Sequence, residues 1–254
     1  MSRTTLYNKN KTLIFTIENF IHERVVSRLL QRVENNFTSI SNEYPDEYRN
    51  SERSILFDKR VSTLMWRNLE PHLTYEDVQG VVPFGYDNVG RWFPTGINEC
   101  LRFSKYNKGG YFKSHTDGHV ALGVDHRSIF TIMIYLNENF VGGKTTFFDD
   151  NGEEILAVTP KTGTALIFNH DVMHMGGEIE EGIKYIVRTD VMFFRCRSFT
   201  HTLQELDEKE LLDKEFVEAL CEESIKQTSK GNPVEATQKF IDAQKLMCSR
   251  KSIP

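Results

Sequence analysis

Between residues 98 and 194 short runs rich in β-branched and aromatic residues recur at roughly ten-residue spacing, with turn signals between them. "CLRFSKY" reads as a short apolar strand, and "NKGG" as the turn after it. "SIFTIMIYLN" at 128–137 is apolar on both faces, the pattern of a strand buried in a sandwich or barrel. "ENFVGGKTTFF" supplies a Gly-Gly turn and another strand, and "ILAVTPKTGTALIFN" two strands around a Pro/Gly turn at 160–163. "IKYIVRTDVMFF" at 183–194 is a long final strand. This spacing constrains the chain to an all-β sandwich or jelly roll over the region.

The flanks read differently. "TLIFT" at 12–16 is a short strand. "IENFIHERVVSRLLQRVENNF" follows, with Phe20, Ile21, Val25, Val26, Leu29, Leu30 and Val33 at helical spacing. A second helix is expected from about Asp58 to Pro71. Past Arg197 the sequence becomes charged and helical in period, broken once at "SKGNP". The expected organisation is one domain over 1–198, with its core at about 98–195, and a C-terminal helical extension over 199–254 that reads as a surface helix pair or docking arm.

A net charge of −5 argues against a broad non-specific grip on nucleic acid, although a local basic groove is not excluded. Cys100, Cys196, Cys221 and Cys248 form no CxxC pair and do not resemble a secreted disulfide framework. The first twenty residues lack a signal-peptide pattern, and no apolar run spans a bilayer. The expectation is a cytoplasmic or nuclear protein without a membrane segment.

The chemistry concentrates in "KSHTDGH" at 113–119. On an extended strand His115, Asp117 and His119 would share one face within about 13 Å of chain, at roughly 3.3 Å per residue. Mononuclear non-haem iron sites use two histidines and one carboxylate and leave the remaining positions open. A His-x-Asp strand supplies two of these, and the third could be His170 or His174 in "LIFNHDVMHMGG". Lys184 and Arg188 in "KYIVR" put two cations on one face of an apolar strand, where burial would demand an anionic partner such as a dicarboxylate.

Taken together, "LRFSKYNKGGYFKSHTD", "TIMIYLNENFVGGKTTF" and "VTPKTGTALIFNHDVMHMGGEIEEGIKYIVRTDVMF" stand in a recognisable order. Over about residues 98–194 the chain resembles the Fe(II)- and 2-oxoglutarate-dependent dioxygenases, in their prolyl 4-hydroxylase-like branch. The resemblance implies a mainly β fold with flanking α, a double-stranded β-helix (jelly roll) core with N-terminal helices. It implies His115 and Asp117 as iron ligands. His174, ten residues before Lys184, is the third, and His170 is then a loop histidine near the mouth of the site or polar surface. Lys184 is the first choice for the cation on the distal carboxylate of 2-oxoglutarate, with Tyr135 adding a hydrogen bond. Arg188 could bind one end of the cosubstrate or brace a neighbour. Tyr106 and Thr131 line the same pocket, although Tyr106 could equally be a core aromatic. Asp117 departs from related halogenases, which carry a small residue there.

His119 falls just beyond the expected strand end, and a fourth protein ligand would fill a position the reaction needs. It is expected at the substrate entrance. Trp92 could line a substrate groove or anchor packing. The implied cofactors are Fe(II), 2-oxoglutarate as cosubstrate and O2, with ascorbate as a candidate auxiliary. The implied reaction hydroxylates an unactivated C–H bond and releases succinate and CO2. The expected substrate is a protein or peptide side chain, with a small molecule as an alternative. Oxidative demethylation of nucleic acid and a non-catalytic metal-binding module are competing readings. Oligomeric state is not legible in the sequence.

Overall fold

The computed structural model describes residues 1–9, 11–196, 223 and 226. The expected C-terminal helical extension falls almost wholly outside these residues. The chain divides into two compact units. The first comprises Met1–Asp77, Gly96–Gly118 and Phe130–Val191; the second comprises Val78–Thr95, His119–Ile129 and the chain from Met192.

In chain order the strands and helices begin with β1 (Ser2–Lys9), β2 (Thr12–Glu18) and α1 (Glu23–Val33). Then come β3 (Thr38–Ser39), β4 (Arg49–Asn50), β5 (Glu52–Phe57), α2 (Lys59–Leu69) and α3 (Tyr75–Val78). They continue through β6 (Arg91–Ile97), β7 (Cys100–Tyr106), β8 (Tyr111–His115), β9 (Ala121–Gly123) and β10 (His126–Tyr135). The last are β11 (Phe140–Gly142), β12 (Thr145–Phe148), β13 (Glu154–Val158), β14 (Ala165–Asn169), β15 (His174–Gly176), β16 (Ile179–Gly182) and β17 (Lys184–Cys196).

The major sheet runs β1-β2-β14-β10-β17-β7-β5-β3, and the minor sheet β13-β12-β15-β8-β4. β11 and β16 form a separate ribbon. Period-2 alternation sends Ile14, Tyr106, Met133, Tyr135, Leu166, Phe168 and Ile186 from the major sheet into the same core as Phe147 and Val158 from the minor sheet. The result is a jelly-roll arrangement of two facing sheets that do not join into a closed barrel.

Two helices belong to the first unit, where sequence periodicity places them. α1 buries Val26, Leu29 and Val33. Phe20 and Ile21 are also buried, but they precede the helix, which starts after an N-cap at His22. α2 buries Met65 and Leu69 and starts at Asp58, whose carboxylate accepts from the amides of Arg60 and Val61. The same carboxylate meets Arg32 at 2.6 Å and so ties α1 to α2. Among the described residues no helix is long and apolar enough to cross a membrane.

The second unit is organised around Trp92. Its ring is 2 % exposed, its indole N–H donates to the Asn88 carbonyl at 2.8 Å, and the guanidinium groups of Arg127 and Arg195 lie 5.6 and 5.3 Å from it. Arg195 in turn pairs with Asp87 and Asp125.

Candidate metal and cosubstrate site

β8 ends at His115, two residues earlier than the sequence pattern suggests, so strand alternation does not place Asp117. A tertiary bond does: the Asp117 amide donates to the His170 carbonyl at 2.9 Å. His174 opens β15, which pairs with β8 so that His174 lies directly opposite His115. The two imidazole rings approach to 4.3 Å between centroids. Ligand atoms of His115, Asp117 and His174 all lie within 4.8 Å of one another. The Nε2 atoms of His115 and His174 stand 3.9 and 3.8 Å from Asp117 oxygens.

The donor set fits a divalent transition metal. His115 Nδ1 bonds the Lys113 carbonyl at 2.7 Å and His174 Nδ1 the Val172 carbonyl at 2.9 Å. A carbonyl only accepts, so each Nδ1 carries the proton and each Nε2 presents its lone pair to the centre. Burial, then the neighbouring His174, pulls the His115 pKa down to about 3, and burial lowers His174 against the opposing pull of Asp117. Burial alone would raise the Asp117 carboxyl. The Arg188 guanidinium, followed by the two imidazoles and the Thr131 hydroxyl, outweighs it and holds the group well below the usual carboxylate range. The centre is therefore two neutral imidazoles and one carboxylate, the protonation state that metal binding requires.

Aromatic walls hold these ligands. Phe112 stacks on His115, and Phe168 meets His174 edge-on at 4.7 Å. Behind Phe112 lies the Arg49 guanidinium, 4.3 Å from its ring.

β10 and β17, neighbours in the major sheet, each lead from the metal ligands to a second polar centre. Thr131, Met133 and Tyr135 share one face of β10; Lys184, Ile186, Arg188 and Asp190 share one face of β17. At the metal end, Thr131 Oγ1 donates to Asp117 Oδ2 at 2.5 Å, and Arg188 Nε lies 3.1 Å from Asp117 Oδ1. At the other end, four strand residues or roughly 13 Å away, Lys184 Nζ donates to the Gly143 carbonyl at 2.6 Å. It lies 5.6 and 5.8 Å from the rings of Tyr135 and Tyr106. Tyr106 faces Lys184 directly across the β17–β7 ladder. Lys184 is 3 % exposed, and burial pulls its pKa down to about 7. Among the described residues no carboxylate pairs with it. Tyr135 is fully buried, with its hydroxyl 2.8 Å from Thr145 Oγ1.

The Gly-Gly turn positions the carbonyl that Lys184 meets. Gly142 and Gly143 have φ of +82° and +66°. A Cβ on Gly142 would collide with the Glu178 carbonyl oxygen, so this close approach requires glycine.

Some placements differ from the sequence reading, and others choose between its alternatives. His170 is 1 % exposed, so it is a buried residue and not a mouth or surface histidine. Asp190, 0 % exposed, binds Arg102 at 3.0 Å, Arg188 at 3.2 Å and the Asn98 amide at 2.9 Å. Arg102 lies opposite Arg188 in the β17–β7 register, and two facing guanidiniums need a shared anion. The signal was present: Asp190 follows Arg188 at i+2 in "RTD", on the same strand face. His119 and Trp92 belong to the second unit. His119 stacks on Phe84, with ring centroids 4.8 Å apart, and Trp92 has the geometry of a packing anchor.

Residues 101–207 match the model of the 2OG-Fe(II) oxygenase superfamily. Over that stretch the chain is similar to the superfamily, and the matched residues include His115, Asp117, His174 and Lys184. No curated protein matches the sequence significantly. Among solved structures, it is similar to the viral collagen prolyl hydroxylase of Paramecium bursaria Chlorella virus-1 in its 2OG complex. That match has 17% identity, covers 71% of this chain and 96% of that one, and has a TM-score of 0.48. A Pseudomonas putida prolyl-4-hydroxylase matches with 18% identity over 72% and 92% of the two chains, TM-score 0.47. A Trichoplax adhaerens prolyl hydroxylase in complex with a hypoxia-inducible-factor peptide fragment matches with 18% identity over 80% and 86%, TM-score 0.48.

Proposed function

We propose that the chain hydroxylates an unactivated C–H bond of a protein side chain in the manner of the prolyl 4-hydroxylases, with succinate and CO2 as coproducts. The supporting observation is the pairing of two complementary centres on one scaffold: three converging metal donors, and a buried lysine with no anionic partner among the described residues. The preference for a protein side chain rests on the sequence resemblance over about residues 98–194.

In this reading His115, Asp117 and His174 hold Fe(II), which with bound 2-oxoglutarate supplies the oxidising power for C–H hydroxylation. The chain supplies orientation. Lys184 takes the distal carboxylate, which neutralises a charge the fold otherwise buries at a cost. Tyr135 and Tyr106 wall that pocket. Arg188 does not take the cosubstrate; it braces Asp117 against Asp190. Thr131 steadies Asp117 rather than lining the distal pocket.

The test combines purified protein, Fe(II), 2-oxoglutarate and oxygen, followed by succinate assay and a mass-spectrometric search of treated lysate for peptides heavier by one oxygen atom. Oxygen-dependent succinate and modified peptides are expected. Succinate with modified nucleic acid or small molecules alone would displace the protein-substrate reading. No succinate and no cosubstrate-dependent visible band under anaerobic conditions would sink the enzyme reading.

A further inference from the structure

We infer that His170 is a positioning residue: through the Thr131 hydroxyl it determines which oxygen of Asp117 is offered to the metal. The inference rests on Asp117 being a metal ligand, as proposed above.

One proton sets the direction of the bonds. Thr131 Oγ1 lies 2.5 Å from Asp117 Oδ2 and 2.9 Å from His170 Nδ1. A carboxylate only accepts, so the single hydroxyl proton goes to Asp117. Toward His170 the hydroxyl must then accept, so His170 Nδ1 carries a hydrogen. The chain of donation runs His170 Nδ1–H to Thr131 Oγ1–H to Asp117 Oδ2, with no freedom for the hydroxyl to rotate away. Each link is buried: His170 is 1 % exposed, Thr131 0 % and Asp117 8 %.

Two further contacts hold the histidine in place. Its carbonyl accepts the Asp117 amide at 2.9 Å, so the same residue grips Asp117 through backbone and side chain. On the far side of the ring, Nε2 lies 4.0 Å from Asp190 Oδ1, and Asp190 is itself clamped by Arg102, Arg188 and Asn98. His170 thus joins a rigid charge network to the Thr131 hydroxyl. Oδ2 is held by the Thr131 hydroxyl and Oδ1 lies 3.1 Å from Arg188 Nε, so the two oxygens have different partners, and loss of the hydroxyl bond would change which of them is offered to a metal.

A merely space-filling histidine would make a different prediction, and four variants separate the two. In His170→Asn the amide N–H falls where Nδ1–H was; in His170→Gln it is displaced toward the Nε2 position; His170→Leu has no donor; Thr131→Val breaks the relay at its centre. Co(II) is the probe, with affinity from calorimetry and coordination from its visible absorption, and folding is monitored by circular dichroism and thermal melting. His170→Leu, His170→Gln and Thr131→Val are expected to weaken Co(II) binding about 10-fold or more and to alter the absorption in the same way. His170→Asn stays within about threefold of the original protein. The double variant His170→Gln/Thr131→Val is no worse than Thr131→Val alone, because the two act through one path. Equal behaviour of the Asn and Gln variants, or additive losses in the double variant, would overturn the inference. If His170→Leu does not fold, the Asn and Gln pair carries the test. An Asp117→Ala control that binds Co(II) as tightly as the original would instead remove the metal-ligand reading, and this inference with it.

Discussion

Lys184 and Arg188 stand four residues apart on one face of β17, and they are opposite solutions to burying a cation. Arg188 is charge-paired from within the chain, with Asp117 at 3.1 Å on one side and Asp190 at 3.2 Å on the other. Lys184 has a backbone carbonyl and two aromatic rings, and burial drags its pKa from 10.5 to about 7. A shift of that size corresponds to a cost on the order of 5 kcal/mol for keeping the charge in place. A fold does not carry such a cost for packing, because methionine would fill the space without it. Among the described residues Lys184 has no carboxylate partner whereas Arg188 has two, and this contrast supports the proposal that an external anion binds at Lys184.

The sharpest way to break this contrast is Lys184→Met. Loss of the charge should weaken 2-oxoglutarate binding to metal-loaded, anaerobic protein by about 100-fold or more, while the ligand-free protein becomes more stable at pH 7. Calorimetry and thermal melting read the two effects. Arg188→Met should do the reverse. It leaves Asp190 and Asp117 short of a counter-charge and should destabilise the protein by about 2–3 kcal/mol, less than a fully buried pair because the side chain is partly exposed. Cosubstrate affinity of the metal-loaded fraction should move less than about fivefold.

Titration sharpens the contrast further. Unfolded lysine keeps its proton to about pH 10.5, whereas folded, ligand-free Lys184 loses it at about pH 7. The burial cost is therefore full below pH 7 and is relieved as pH rises toward 10.5, so this group makes the ligand-free protein more stable across that window. If Lys184 holds the distal carboxylate as proposed, binding needs the protonated amine, so affinity should fall by about tenfold per pH unit above about 7, with proton uptake on binding. Lys184→Met should flatten both profiles. The smallest expected effect is at the wall of the pocket: Tyr135→Phe removes the bond to Thr145 and should cost about 1 kcal/mol of stability with a few-fold loss of cosubstrate affinity.

Much of the site was legible because it follows short spacings. His115 and Asp117 in "HTD" and Lys184 in "KYIVR" stand out as residue types in a pattern, spacing leaves His170 and His174 open until the family resemblance favours His174, and the apolar runs of β10, β14 and β17 announce a buried sheet. What was not legible depends on partners distant in sequence. The burial of His170 follows from Thr131 and Asp190, 39 and 20 residues away. Asp117 was expected on the strand, but the ladder ends at His115 and a backbone bond to His170 does the placing. β1 was missed because its exposed, mostly polar sequence has no alternation; it forms because β2 offers an open edge. Trp92 looked like either a groove residue or an anchor, and only its two flanking arginines show the second.

A crystal structure of the Mn(II)- and 2-oxoglutarate-loaded protein tests the central claim most directly. The account predicts the metal on His115, Asp117 and His174, the distal carboxylate within hydrogen-bond distance of Lys184 Nζ, and Arg188 still bridging Asp117 and Asp190. A distal carboxylate held by Arg188, with Lys184 still on the Gly143 carbonyl, would contradict it.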